Sequence, residues 1–343
     1  MMEAVIKTGP QPGIEVADVP EPTAAAGEVL IEVESASVCG TDYTLADWTP
    51  GAAAWGSAFP LIMGHEYCGR VVALGEGVTT IGVGQRIAGE SHVWCGSCPA
   101  CRRDARHNCL NITIPGVNRD GAFTSLLAVP VSACFPLADQ VGPEAVLFES
   151  AGVAMHAIQQ AGEVQDRTVV ITGAGPVGLF LVAELRALGA GEVIVLEPNQ
   201  ARRDRAAALG AVTFGADQVT DFVEHSRRSG PLGGAEIGFE VSGAPSAYEA
   251  MFSALGLEST LVSVGHSSSL VGVNISRDVN LRVINWKGVY GRRIWSSWEQ
   301  LQDLVLSGRV DLGSFIEGEI KVNELPDQLG AIRQLPGKVI VRP

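Results

Sequence analysis

Positive charge is in short supply in this chain: 24 Lys and Arg face 38 Asp and Glu, a formal net charge of −14 over 343 residues. Such a surface repels phosphate backbones and anionic bilayers, because too few cations are present to displace their counterions. Nucleic acid and membrane are therefore not expected partners. The same balance mildly favours a cationic substrate, although solubility in a crowded cell is the better explanation of it. Long apolar runs are also missing. The uncharged stretch Thr168 to Ala183 falls short of the ~18 apolar residues a membrane span needs, and glycines break it. Met1-Met-Glu-Ala-Val-Ile-Lys7 alternates like a strand and shows no basic region followed by an apolar core. No secretion signal is expected there, and the cytoplasm is the expected compartment. Seven cysteines, an odd number, then point to metal ligation or free thiols before disulfides.

The length suits two domains of roughly 100 to 200 residues each. From Met1 to about Phe148 the texture is strand-like and turn-rich, as in Gly27-Glu-Val-Leu-Ile-Glu-Val-Glu34, Tyr67 to Val72 and Gln85 to Ala88. A β-rich, barrel-like domain is expected. From Glu149 to Tyr290, near-continuous apolar runs alternate with Ala-rich helical segments. The expected strands are Thr168 to Thr172, Glu192 to Leu196, Val212 to Phe214, Ile237 to Val241, Thr260 to Val264 and Asn285 to Tyr290. That alternation reads as an α/β fold with a doubly wound parallel sheet. The tail from Gly291, with a helix over Trp298 to Ser307 and strands over Glu317 to Val322 and Lys338 to Val341, is too short for a domain. It is expected to return to the first one, giving 1–148 with 291–343 around an inserted 149–290.

Within the second domain, Val169-Val-Ile-Thr-Gly-Ala-Gly-Pro-Val-Gly178 matches G-x-G-x-x-G at Gly173, Gly175 and Gly178. One glycine turns sharply out of a strand, one lets backbone N–H groups approach a pyrophosphate, and one lets the helix pack closely. About twenty residues on, Val193-Ile-Val-Leu196 ends in Glu197, where an acid would accept both ribose hydroxyls and repel a 2′-phosphate. NAD is therefore expected over NADP, although the neighbouring Arg202 and Arg203 could pair with a phosphate.

Residues 95 to 109 carry Cys95, Cys98, Cys101 and Cys109, spaced C-x-x-C-x-x-C-x7-C. Four thiolates at that spacing suit a closed, structural zinc site, with an iron–sulfur cluster as the alternative. Cys39-Gly-Thr-Asp42 and Gly64-His-Glu66 would suit a zinc site with an open position. By spacing alone they read more readily as a small buried thiol and a satisfied polar pair. Cys68 and Cys134, with apolar flanks, read as core.

Taken together, Cys39-Gly-Thr-Asp42, Gly64-His-Glu-Tyr67, Gly89-Glu-Ser-His-Val-Trp-Cys95, Gly116-Val-Asn-Arg-Asp-Gly121, the glycine turn and Lys287-Gly-Val-Tyr-Gly-Arg292 resemble the zinc-dependent medium-chain alcohol and polyol dehydrogenases. The L-threonine 3-dehydrogenase and sorbitol dehydrogenase branch is the most similar, and the resemblance spans essentially the whole chain. It implies a GroES-like catalytic domain joined to a Rossmann domain, two zinc ions per chain, NAD, and a homo-oligomer, tetramer or dimer. It also implies that Cys39, His65 and Glu66 ligate or neighbour a catalytic zinc, with Glu149 in the position of a further ligand. Arg202 would lie near the adenosine ribose, Val177 at the pyrophosphate turn, Val264, Gly265 and His266 by the nicotinamide, and Val289 and Tyr290 near the domain junction.

The implied reaction is oxidation of a secondary alcohol to a ketone, with hydride passing to nicotinamide and Thr41 hydrogen-bonding the alcohol. Where threonine dehydrogenases have a histidine three residues past that threonine, this chain has Thr44, which does not titrate near neutrality. His92 or a water chain would then carry the proton, unless His92 is a structural residue beside the cysteine lobe. Ala52 to Ser57 offers no polar fingerprint, and Phe148-Glu-Ser-Ala-Gly departs from the family's Asp-Pro or Glu-Pro context. The substrate class is therefore broad: an amino alcohol, polyol, sugar or aminocyclitol. Arg119 reads either as a carboxylate binder or as a loop salt bridge. Competing readings are L-threonine 3-dehydrogenase proper, a zinc-independent reductase, and a non-catalytic NAD-binding protein on the same fold.

Overall fold

The structure, a computed structural model, describes residues 1–267 and 269–343. The chain forms two compact units, Met1–Glu149 with Arg293–Trp298 and Asp311–Pro343, and Ser150–Arg292 with Glu299–Val310. The segment 299–310, expected with the first unit, belongs to the second. Its side chains explain why: Gln159 donates to Gln300 Oε1 at 3.0 Å and Arg309 to the carbonyl of Ala187 at 3.4 Å.

In the first unit, strands β1 (Met2–Lys7), β2 (Glu15–Val19), β3 (Glu28–Ser37), β4 (Leu61–Ile62), β5 (Glu66–Leu74), β6 (Arg86–Gly89), β7 (Leu126–Pro130) and β8 (Cys134–Pro136) precede the second unit. The second contributes β9 (Val169–Thr172), β10 (Val193–Leu196), β11 (Val212–Phe214), β12 (Ala235–Glu240), β13 (Leu255–Ser263) and β14 (Asn285–Gly288). Strands β15 (Ile316–Lys321) and β16 (Lys338–Arg342) then rejoin the first unit. There, a small sheet runs β2-β1-β4 and a larger one β15-β16-β3-β5-β6-β8, with β7 also on β3. Inward residues of β3 and its partners, Val29, Ile31, Val33, Val71, Ile87, Leu127 and Val339, build one apolar core. Alternation along half-buried strands places them on that face.

Register at the end of β3 matters most for function. Ser37 pairs with Glu66 of β5 on one side and with Ile340 of β16 on the other. Cys39, two residues beyond Ser37, is thereby brought to the start of β5 and to Lys338.

The second unit is a six-stranded, all-parallel sheet in the order β11-β10-β9-β12-β13-β14. Its central strands are buried along their whole length, as expected for a sheet covered on both faces. Strand order reverses between β9 and β12, and the crevice outside the carboxyl ends of the strands at such a switch point is where α/β sheets bind ligands.

Candidate metal centres and nucleotide crevice

Cys39 is the N-cap of the helix Gly40–Ala46, and its N–H donates to Asp42 Oδ2 at 2.8 Å. The other Asp42 oxygen lies 3.5 Å from His65 Nδ1, and both groups are buried. Asp42 thus turns the ring so that Nε2 is the atom left to bind a cation, the usual arrangement behind a metal-bound histidine. Glu66 Oε2 accepts the Ser37 hydroxyl at 2.6 Å and pairs with Lys338 Nζ at 2.5 Å, while Lys338 also donates to Val38 O at 2.9 Å. Glu66 Oε1 is buried with no hydrogen-bond partner among the described residues, while His65 Nδ1 and Asp42 Oδ1 face each other at 3.5 Å, beyond a good hydrogen bond. Ligand atoms of Cys39, His65 and Glu66 lie within 4.8 Å of one another.

The electrostatics of this group ask for a cation. Burial pushes the His65 pKa down, yet Asp42 and Cys39 beside it carry it well above the ordinary value. Burial likewise raises Glu66, against the pull of Lys338 and with the push of Glu149. Polar atoms left bare in such a field cost free energy unless an ion meets them. A thiolate, an imidazole and a carboxylate fit zinc with one position open.

Glu149 is buried close enough for its charge to act on Glu66, but it stands outside the three-ligand group and accepts the Ser91 hydroxyl at 2.7 Å. His92 is also buried, with its N–H and its Nδ1 on Glu90 Oε1 at 2.8 and 3.1 Å. Glu90 Oε2 in turn accepts the indole N–H of the fully buried Trp298 at 3.2 Å. Thr41 sits half-buried in the first helical turn after Cys39. Arg119 pairs with Glu28 at 3.0 Å and donates to Ala128 O, so the salt-bridge reading holds.

The four lobe cysteines also converge. Their sulfurs lie within 4.8 Å of one another, with Cys98 Sγ 3.5 Å from Cys101 Sγ and 3.9 Å from Cys109 Sγ. One tetrahedral ion with Zn–S bonds of 2.3 Å spaces its sulfurs at about 3.8 Å, so the geometry suits a single closed ion. Backbone N–H groups of Cys95, Cys101 and Asn111 point at sulfur, as they would at thiolates. The Ser97 N–H and hydroxyl hold the Cys95 thiol down to about 5. Burial and the adjacent sulfurs push Cys101 up to about 12. Four crowded sulfurs cannot all ionise without a cation between them.

In the second unit the glycine turn follows β9. Gly173 adopts φ +98°, a Cβ on Gly178 would lie 2.1 Å from Gly173 O, and a Cβ on Gly175 would meet nothing within 4 Å. The first and third glycines are thus required by backbone and packing, whereas Gly175 faces open space. It caps the helix Pro176–Ala187 with no side chain, so first-turn N–H groups, including that of the half-buried Val177, face outward. That is an anion cradle. Glu197, at the end of β10, is buried and accepts the N–H of Ala174 at 2.6 Å and of Asn199 at 2.8 Å. Arg203 is committed to Glu197 O and Pro198 O, while Arg202 keeps a buried Nε with no hydrogen-bond partner among the described residues. Val264 and Gly265 line the turn after β13, and His266 meets Tyr290 edge-on with ring centroids 6.3 Å apart, next to the buried Val289.

Residues 25–139 match the alcohol dehydrogenase GroES-like domain family, and residues 176–307 match the zinc-binding dehydrogenase family. The L-threonine 3-dehydrogenases of Shewanella woodyi and Pectobacterium atrosepticum are each 32% identical to this chain over 99% of its length and cover 99% and 94% of their own. The chain belongs to the zinc-binding medium-chain alcohol dehydrogenases. Within that family, a zinc-binding dehydrogenase from Sinorhizobium meliloti 1021 solved with NADP is 28% identical, with a TM-score of 0.89 over 100% of this chain and 99% of its own. The 2R,3R-butanediol dehydrogenase of Bacillus subtilis, 24% identical with a TM-score of 0.90 over the full length of both chains, shares the fold. What the sequence reading of this dehydrogenase missed is Lys338, Ser37 and the Glu90–Trp298 contact. Lys338 stands 272 positions from Glu66 (338 − 66), and no local pattern announces such a pair.

Proposed function

We propose that this dehydrogenase oxidises a secondary alcohol to a ketone and passes the hydride to NAD. The convergence of ligand atoms of Cys39, His65 and Glu66 within 4.8 Å of one another, with the buried Glu66 Oε1 lacking a hydrogen-bond partner among the described residues, is the observation that carries this reading. Zinc bound there supplies a Lewis acid that makes the alcohol hydroxyl easier to deprotonate. Asp42 orients His65, Ser37 and Lys338 hold Glu66 by one oxygen, and Thr41 hydrogen-bonds the substrate hydroxyl. His92, with Nδ1 on Glu90, carries the departing proton on Nε2. The four-cysteine lobe holds a second, structural zinc.

The glycine turn fixes the pyrophosphate, with Val264, Gly265, His266, Val289 and Tyr290 towards the nicotinamide and Arg202 near the adenosine ribose. NADP is bound by the Sinorhizobium relative. Here the buried Glu197 carboxylate would repel a 2′-phosphate and accept the ribose hydroxyls, which favours NAD. The substrate is an amino alcohol, polyol, sugar or aminocyclitol. A second reading, L-threonine itself, is favoured by the 32% identity to enzymes of that name. Assay of zinc-loaded protein with NAD and NADP against a panel of secondary alcohols, L-threonine included, decides between them. No turnover on any would sink the dehydrogenase reading.

The chain acts in the cytoplasm as a homo-oligomer, dimer or tetramer. In support, β14 ends the second sheet with its outer edge unpaired among the described residues, and Leu281, Val283 and Trp286 beside it are exposed. An apolar open edge of this kind calls for a partner.

A further inference from the structure

Glu240 closes β12, beside β9 at the switch point, and is fully buried. Its Oε1 accepts the Ser242 N–H at 2.9 Å, the Ser242 hydroxyl at 2.6 Å, the Gly243 N–H at 2.9 Å and the Thr172 hydroxyl at 3.5 Å. Its backbone carbonyl accepts the N–H groups of Val264 at 2.8 Å and Gly265 at 3.0 Å. One residue therefore ties together the ends of three strands, β9, β12 and β13.

The turns it ties touch each other. A Cβ on Gly243, whose φ is +70°, would lie 2.4 Å from His266 O; one on Gly265 would lie 2.3 Å from Gly243 N; one on Gly173 would lie 3.1 Å from Ser242. Backbone packed this closely has no slack, so a shift at 242–243 displaces both the glycine turn and the 264–266 turn. Burying a carboxylate is costly unless donors surround it, and here the donors are the turn itself.

We infer that Glu240 is a positioning residue that builds the pyrophosphate and nicotinamide side of the nucleotide crevice, separately from the adenosine side at Glu197. The inference rests on the proposed binding of NAD at the glycine turn. It predicts a division of labour: adenosine, which has no phosphate and is held on the Glu197 side, is indifferent to Glu240, whereas ADP-ribose and NADH depend on it.

Binding of adenosine, ADP-ribose and NADH to zinc-loaded protein, measured by calorimetry, tests this without any turnover. Glu240→Ala should weaken NADH and ADP-ribose by about tenfold or more and leave adenosine within about twofold. Glu240→Gln, which keeps an oxygen for the four donors, should restore most of that loss. Gly243→Ala, which disturbs the same turn without touching Glu240, should reproduce the split and carries the test if Glu240→Ala does not fold. Unchanged NADH binding in the variants, or equal weakening of all three ligands, would overturn the inference. Failure of the unaltered protein to bind NADH would instead remove the reading beneath it.

Discussion

Glu184 is fully buried on the helix Pro176–Ala187, and neither carboxyl oxygen has a hydrogen-bond partner among the described residues. Burial alone pushes its pKa well above the ordinary 4.5. The unfolded chain ionises near that ordinary value while the folded chain holds the proton, so this group's contribution to stability is complete below it and is lost as pH rises towards the raised native value. Glu184→Gln, which mimics the protonated form, should leave Tm almost unchanged at acid pH and raise it at pH 8. The gain comes from the lost ionisation penalty and should be about 1.4 kcal/mol for each unit by which burial raises the native pKa, counted no further than pH 8. Calorimetric scans at both pH values check it, and a gain that is the same at both would refute the burial argument. Glu197 makes a second prediction at this scale. Glu197→Ala should narrow the preference for NAD over NADP, read from kcat/KM with each; an unchanged ratio would rule out its ribose role.

The four-cysteine lobe, 95–109, shows how an element can be held by a few bonds to one ion. Its helical turn Pro99–Arg102 is four residues long and buries none of them, far too little to form without help. An ion shared by four sulfurs supplies the missing stabilisation, for which binding free energies of order 10 kcal/mol are available. Cys98→Ser should therefore lose about one metal per chain and lower Tm, with elemental analysis and thermal melting as the checks. Full metal content in the variant would contradict the assignment. The spacing of these cysteines was legible from the sequence because their ligand geometry is local, confined to one loop. The Cys39 group was not legible in the same way. Its members sit on separate elements, and only the pairing of Ser37 with Glu66 and Ile340 brings them together.

For the whole molecule, the open β14 edge with Leu281 79% exposed leads to a prediction about assembly. Leu281→Lys places a charge on that patch without touching a core contact. It should move the light-scattering mass towards the monomer while leaving the zinc content intact; a mass unchanged from the unaltered protein would place the interface elsewhere.

Local features were legible in the sequence by itself. Strand and helix periodicity, the glycine turn, the terminal acid of the second apolar run and the cysteine lobe are all encoded in residues close along the chain, so their physics can be read without folding it. The six expected strands of the second unit all form, with shifted ends, for this reason. Tertiary structure alone decided which separated groups meet. Lys338 against Glu66, Asp42 behind His65, Arg119 on Glu28 and Glu240 beneath three turns depend on strand register and on burial. A charge or a hydrogen bond acts over a few ångströms in space, whatever the distance along the chain, and only the packed fold sets those distances.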